Sequence, residues 1–213
     1  MRTDDLVNML AANAGPAMPD ATARRYATAL GWGAFGATLL MALVLGVRPD
    51  LPEAALLPMF WVKIAFPACL TAAALYAAAR LSRPGVRLGR VPAAIAAPVF
   101  VIWALAVWAL AAADAPERAA LIFGQTWQSC PFNITLLSLP MFAASLWAMK
   151  GLAPTRLALA GAAAGLLAGA IAALVYALHC PEMDAPFIAV WYVLGILIPA
   201  VVGAIIGPLL LRW

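Results

Sequence analysis

Six long stretches of the chain are apolar on every side, at roughly 26–47, 57–79, 91–113, 132–149, 157–178 and 187–211. Each is long enough to cross a hydrocarbon core as a helix. Strands of a membrane barrel would alternate apolar and polar residues, whereas a run such as "LALAGAAAGLLAGAIAALVYAL" does not. The pattern predicts an all-α integral membrane bundle of six transmembrane helices. It divides the chain into an N-terminal segment, 1–25, and a transmembrane domain, 26–213.

Composition agrees: 66% of the 213 residues are hydrophobic, 10% are charged, and the mean hydropathy is +0.98. That balance lies outside the range of soluble domains. The formal net charge of +4 is explained by where the cations fall. Arg2, Arg24, Arg25, Arg80, Arg83, Arg87, Arg90, Lys150, Arg156 and Arg212 lie on one side of the predicted bundle, and only Arg48 and Arg118 lie in the opposite loops. Cytoplasmic loops carry the excess of Lys and Arg, so both termini are expected in the cytoplasm. The other side holds Asp50, Glu53, Asp114, Glu117, Glu182 and Asp184. This basic bias is a topology signal, and direct nucleic-acid binding is not expected. The first 25 residues contain Asp4, Asp5, Pro16, Pro19 and Asp20 and lack an apolar signal core, so the N-terminus is expected to stay attached. An aromatic belt is expected from Tyr26, Tyr76, Trp147 and Trp213 at the inner interface, and from Trp61, Trp108, Tyr176, Trp191 and Tyr192 at the outer one.

Outside the spans, "TDDLVNMLAANAGPAMP" reads as a short amphipathic helix. Thr3 is the expected N-cap, Asp4 and Asp5 suit the positive end of the helix dipole, and Gly15-Pro16 is the stop. Leu6, Val7 and Leu10, with Met9 beside them, form its apolar face. So short a helix needs a surface to bury against. Membrane lipid at the inner leaflet is one candidate; acids on the polar side favour a cytosolic protein partner.

Within the spans, Gly161, Gly165 and Gly169, and Gly195, Pro199, Gly203 and Gly207, recur at spacings that let two helices approach closely. Pro67, Pro98, Pro140, Pro199 and Pro208 predict kinks. A small secondary transporter would use such breaks for a midplane site, but the spans contain no acid. Lys63 lies about 9 Å inside its span at the helical rise, and its amine is expected to snorkel outward. Cys69 is expected as a small buried residue.

Two Cys-Pro pairs remain, Cys130-Pro131 in "QSCPFN" and Cys180-Pro181 in "ALHCPEMD". The short connection from Lys150 to Arg156 makes the fourth and fifth spans antiparallel neighbours, which puts both thiols at one outer level. Pro131 and Pro181 predict that each cysteine is held in extended backbone off the helix. Three readings stay open. The pair is a structural disulfide in an oxidising compartment, or a switch that is oxidised or takes up a soft metal at Cys130 and Cys180 with His179 alongside, or a thiol oxidoreductase site. The last lacks the Cys-X-X-Cys spacing that tunes such pairs.

The N-terminal "TDDLVNMLA", the six spans and one Cys-Pro pair in each of the second and third outer loops together resemble the NrsF-type membrane anti-sigma factors. The resemblance spans the whole chain. It implies a regulator without enzymatic activity or a resident cofactor, in the bacterial inner membrane. Such a protein sequesters a cytosolic extracytoplasmic-function sigma factor and releases it when periplasmic thiols sense heavy metal or oxidant. On that likeness Cys130 and Cys180 are the sensing pair, and the N-terminal segment is part of the sigma-binding region.

Overall fold

The computed structural model describes residues 2–12 and 21–212, and all the regular structure within them is helical. In chain order the helices are α1 (Thr3–Ala12), α2 (Ala21–Val44), α3 (Leu51–Ala54), α4 (Pro58–Leu81), α5 (Val91–Ala112), α6 (Arg118–Phe123), α7 (Ser129–Lys150), α8 (Leu157–Tyr176), α9 (Ala185–Phe187) and α10 (Val193–Leu210). A π-helical turn, Ile188–Tyr192, joins the last two. Six helical segments are long and apolar enough to cross a membrane, the last being α9, the π turn and α10 as one piece, Ala185–Leu210. The largest departure from the hydropathy reading is at the start of α2, at Ala21 rather than 26. Thr22, Arg24 and Arg25 end the apolar run, but the helix continues through them.

The helix α8 forms the centre. It packs against α10, α7, α4 and α2 and is buried along almost all its length. Its residues are nearly all Ala, Gly and Leu, so neighbours come close on every side. Along the seam with α10, a side chain on Gly161 would collide with the Gly203 carbonyl, and one on Gly165 with the Pro199 carbonyl. A Cβ on Gly169 would stand 2.8 Å from the Ile196 carbonyl oxygen. The glycine spacing noted in the sequence is thus a backbone-to-backbone seam. By contrast α5 lies at the edge, touching α4, α9 and the π turn, with Phe100, Val101, Val107 and Trp108 exposed. None of the five internal prolines interrupts its helix; the one stretch of non-α helical geometry in a span is the π turn.

Each end of the bundle has its own fastening. At the basic end, Tyr26 donates to Ser82 Oγ at 2.8 Å, and Ser82 donates to the Ala78 carbonyl at 2.8 Å. The Arg25 guanidinium lies 5.6 Å over the Trp147 ring. In mid-bundle Ser145 Oγ reaches across to the Ala164 carbonyl at 3.3 Å. At the acidic end Trp191 donates to the Ile122 carbonyl at 2.7 Å and packs its ring at a tilt against Trp127, with centroids 5.2 Å apart.

Several expectations are corrected. Tyr176 and Tyr192 are not belt residues; both are fully enclosed in the core. Tyr26 is buried on Ser82 rather than facing lipid. Cys69 is exposed on the outer face of α4, where the bilayer, not protein, would cover it. In α1 the amides of Asp5 and Leu6 both bond the Arg2 carbonyl, and the Arg2 amide donates to Asp5 Oδ2 at 3.3 Å. Arg2, not Thr3, therefore occupies the cap position, its own amide held by the acid three residues on. The Gly15-Pro16 stop and Trp213 lie outside the described residues.

Adding a methyl at Gly203 forces it into the Gly161 carbonyl, whereas a methyl at Gly31 meets nothing within 4 Å. Thermal unfolding in detergent should show Gly203→Ala destabilised by about 1–3 kcal/mol or more, as expected for overpacking. Gly31→Ala should be unchanged or slightly stabilised, as expected for replacing Gly within a helix.

Candidate thiol site at the acidic end

Two chain reversals bring the Cys-Pro pairs together. The first is the turn into α7, where the Cys130 amide donates to the Thr126 carbonyl at 2.9 Å. Cys130 lies within the helix, not in extended backbone before it. A proline in the first helical turn forfeits no intrahelical bond, so the helix can begin at Ser129 and run through Pro131. The second reversal leaves α8, where the amides of His179 and Cys180 both donate to the Tyr176 carbonyl at 2.9 Å. Here Cys180 stands off the helix, as the following proline predicts.

Both thiols are enclosed completely, and both are free. They are electrostatic neighbours of one another and share Tyr176, Tyr192 and Lys63 as further neighbours. The tyrosine ring centres are 5.9 Å apart. The disulfide considered from the sequence is not formed in this structure. Among the described residues no cluster of three or more His, Cys, Asp or Glu could hold a metal. His179, considered as a companion ligand, is occupied elsewhere: its Nδ1 lies 2.9 Å from the Gly46 carbonyl. A carbonyl only accepts, so that nitrogen carries the proton.

Lys63 overturns the snorkelling expectation. Its side chain is wholly buried, and Nζ donates to the carbonyls of Cys180 at 2.6 Å and Glu182 at 2.7 Å. It also sits 5.6 Å over the Tyr192 ring. The tight Cys180 loop offers two carbonyls inside the protein, which replace the water that snorkelling would have reached. Arg48 approaches the same loop from the α2–α3 turn. Its amide donates to the Leu178 carbonyl at 3.1 Å, and its Nη1 to the Cys180 carbonyl at 3.2 Å. A bidentate pair with Asp50, at 2.8 and 2.6 Å, anchors the guanidinium. This bonding holds the Asp50 carboxyl down to about 2.

Glu182 ties the loop to the start of α7. Its Oε1 accepts from the Gln125 amide at 2.8 Å, and from the amide and hydroxyl of Thr126, both at 3.1 Å. Gly124, at φ +53, makes room: a Cβ there would stand 2.6 Å from Glu182 Oε2. Asp184 follows, its carboxyl raised first by burial and then by the Glu182 charge. The Cys180 loop is therefore a node that touches the α2–α3 turn, α4 and the entry to α7 through its own backbone and Glu182. Sequence reading found the two cysteines but missed Tyr176, Tyr192, Arg48 and Glu182 as their company. The signal that was available was Lys63, the single charge set deep within a span.

Leu6, Val7 and Leu10 stand on α1, where every residue from Thr3 to Ala12 is exposed. At 43, 57 and 64% exposure, they form an apolar face that the rest of the described chain leaves open.

Comparison with known proteins gives a consistent picture. Residues 10–213 match the family described as "Negative regulator of sigma F", NrsF. The "Probable anti-sigma-F factor NrsF" of Azospira oryzae is 59% identical over 213 residues, covering the full length of both chains. The "Anti-sigma-F factor NrsF" of Caulobacter vibrioides is 46% identical over 215 residues, again over the full length of both. No solved structure matches the chain.

The three bonds on Glu182 give a direct check of the node. Glu182→Ala should lower stability by about 1.5–3 kcal/mol, the range for hydrogen bonds to a charged group. Glu182→Gln, which keeps an acceptor oxygen, should lose clearly less in thermal unfolding of the detergent-solubilised protein.

Proposed function

The chain belongs to the NrsF family of negative regulators of sigma F, and from that premise we propose how it works as a membrane anti-sigma factor. It binds an extracytoplasmic-function sigma factor at the cytoplasmic face of the bacterial inner membrane and releases it when Cys130 and Cys180 react with an oxidant or a soft metal on the periplasmic side. The acidic end of the bundle faces the periplasm, and both termini face the cytoplasm, following the positive-inside pattern. Residues 1–25 form the cytoplasmic segment, and the sigma factor covers the apolar face of Leu6, Val7 and Leu10. Its relatives are regulators rather than enzymes, and the reading needs no catalytic step.

The observation that carries this reading is the node itself. The two thiols are buried as electrostatic neighbours beneath a loop whose carbonyls and Glu182 hold the α2–α3 turn, α4 and the entry to α7. Joining the sulfurs, or placing a metal between them, requires the loop to move against those bonds. Because α8 carries the loop at one end and the glycine seam along its length, a shift there passes to α10 as a rigid displacement. To turn a mostly bound partner into a mostly free one takes about 5.5 kcal/mol of differential stabilisation. A disulfide supplies about 2–4 kcal/mol before its redox chemistry is counted, and the rearranged bonds of the loop add to it.

One experiment addresses both halves. Co-purification of the sigma factor with the full-length membrane protein should be lost when Leu6, Val7 and Leu10 are changed to Asp, and retained in Cys130→Ser and Cys180→Ser. A sigma-dependent reporter should then show each cysteine variant equally altered in its response to cadmium or peroxide. Retention of the partner by the aspartate variant would refute the α1 interface, and a normal response from the double cysteine variant would refute the sensing role.

A further inference from the structure

The thiol site contains a basic side chain, Lys63, that forms no ion pair with any acid of the described chain. Lys63 Nζ is wholly buried, and the oxygens it reaches, those of Cys180 and Glu182, belong to neutral carbonyls. Among the described residues the one ion pair joins Arg48 to Asp50. An ammonium held in the interior without an anion is costly, and a negative charge formed nearby recovers part of that cost. A second, separate observation points to the same place. Tyr192 is fully buried on the π turn, and beyond its approach to Cys180 its hydroxyl makes no hydrogen bond of normal geometry among the described residues, although buried hydroxyls are nearly always satisfied. Its neighbours are Cys180 and Cys130, and its ring lies under the Lys63 ammonium. A basic side chain and a hydroxyl donor near one sulfur form surroundings that an anion would complete.

We infer that Lys63 is a positioning residue for an ionised thiol: the Lys63 ammonium and the Tyr192 hydroxyl together stabilise the thiolate of Cys180. In that step the S–H bond breaks, the electron pair stays on Sγ and the proton leaves to water, so no oxidant is consumed. The thiolate is the form that attacks oxidants and binds soft metals. The same amine holds the Cys180 carbonyl, so backbone and sulfur of one residue answer to one charge. Five titratable or charged groups neighbour Cys180, namely Cys130 from α7, Tyr176 from α8, Tyr192 from the π turn, Lys63 from α4 and Arg48 from the α2–α3 turn, and the Glu182 carboxylate acts on Cys130 beside it. Only Lys63 and Arg48 are positive. Arg48 is already matched by Asp50, which leaves Lys63 to set the sign of the local field.

This inference rests on the reading of Cys130 and Cys180 as the responsive pair, and its test is separable from that reading. The full chain in lipid nanodiscs, with Cys69→Ser and Cys130→Ser, leaves Cys180 as the reporting thiol. Thiolate ultraviolet absorbance is followed against pH, with the Cys180→Ser form as blank. Lys63→Met should raise the midpoint of thiolate formation by about one pH unit or more, roughly a tenfold loss of thiolate at a fixed pH below it. Lys63→Arg should restore the midpoint, and Tyr192→Phe should raise it by less. A merely structural lysine would lower the melting temperature and leave the midpoint in place. An unchanged midpoint in Lys63→Met overturns the inference; if that variant does not fold, an unchanged midpoint in Tyr192→Phe does so. The sigma-dependent reporter tells the two failures apart. A shifted midpoint with a normal cellular response from the cysteine variants would remove the sensing role and keep the Lys63 pairing, and the reverse result would do the opposite.

Discussion

Lys63 grips the carbonyls of Cys180 and Glu182 from inside the bundle, and the architecture of the acidic end is arranged around that grip. A charged amine in a span is tolerated only where polar groups replace water. Here the replacement is a backbone loop pulled inward far enough to present two carbonyls. The loop can reach that depth because α8 ends at Tyr176 in a tight turn that points Cys180 into the protein. A second cation, Arg48, closes on the Cys180 carbonyl from the other side. The loop is thus fixed by charge at its centre and by Glu182 at its far end.

Everything else sets the frame in which that grip operates. The glycine seam locks α8 to α10 with backbone contact that leaves no slack. The π turn introduces Tyr192 beneath the ammonium, at the one place where the last span departs from α geometry. Such single π turns recur at functional positions in helices. The neighbouring α5, by comparison, is held mainly at its edges and presents apolar side chains outward. The closely packed part of the bundle is therefore the part that carries the thiols.

Much of this was legible in the amino-acid sequence, because water exclusion makes the code simple. Six uniform apolar runs can only be six helices once strands fail to alternate. The four-residue glycine spacing reads directly as a close seam. The placement of Cys130 and Cys180 at one end of the bundle followed from counting spans and noting how short the Lys150–Arg156 connection is. What failed had a common cause: sequence shows what a residue is, not which tertiary partner it finds. Lys63 was expected to reach for water because its carbonyl partners lie over a hundred residues away. Tyr176 and Tyr192 sit at interfacial positions by count, yet pack inward around the thiols. Pro131 was expected to exclude Cys130 from the helix, but first-turn geometry absorbs it. In each case the local rule was sound and a distant contact outweighed it.

The central claim is that the Cys180 loop is one mechanical unit with the α2–α3 turn and the entry to α7, so chemistry at the sulfurs is felt at all three. Amide hydrogen exchange on the full chain in nanodiscs, before and after both thiols are modified, reads this directly. Protection should fall together at residues 177–184, at 45–50 and at 124–130. Faster exchange confined to the residues beside Cys180, with the other two segments unchanged, would contradict the account.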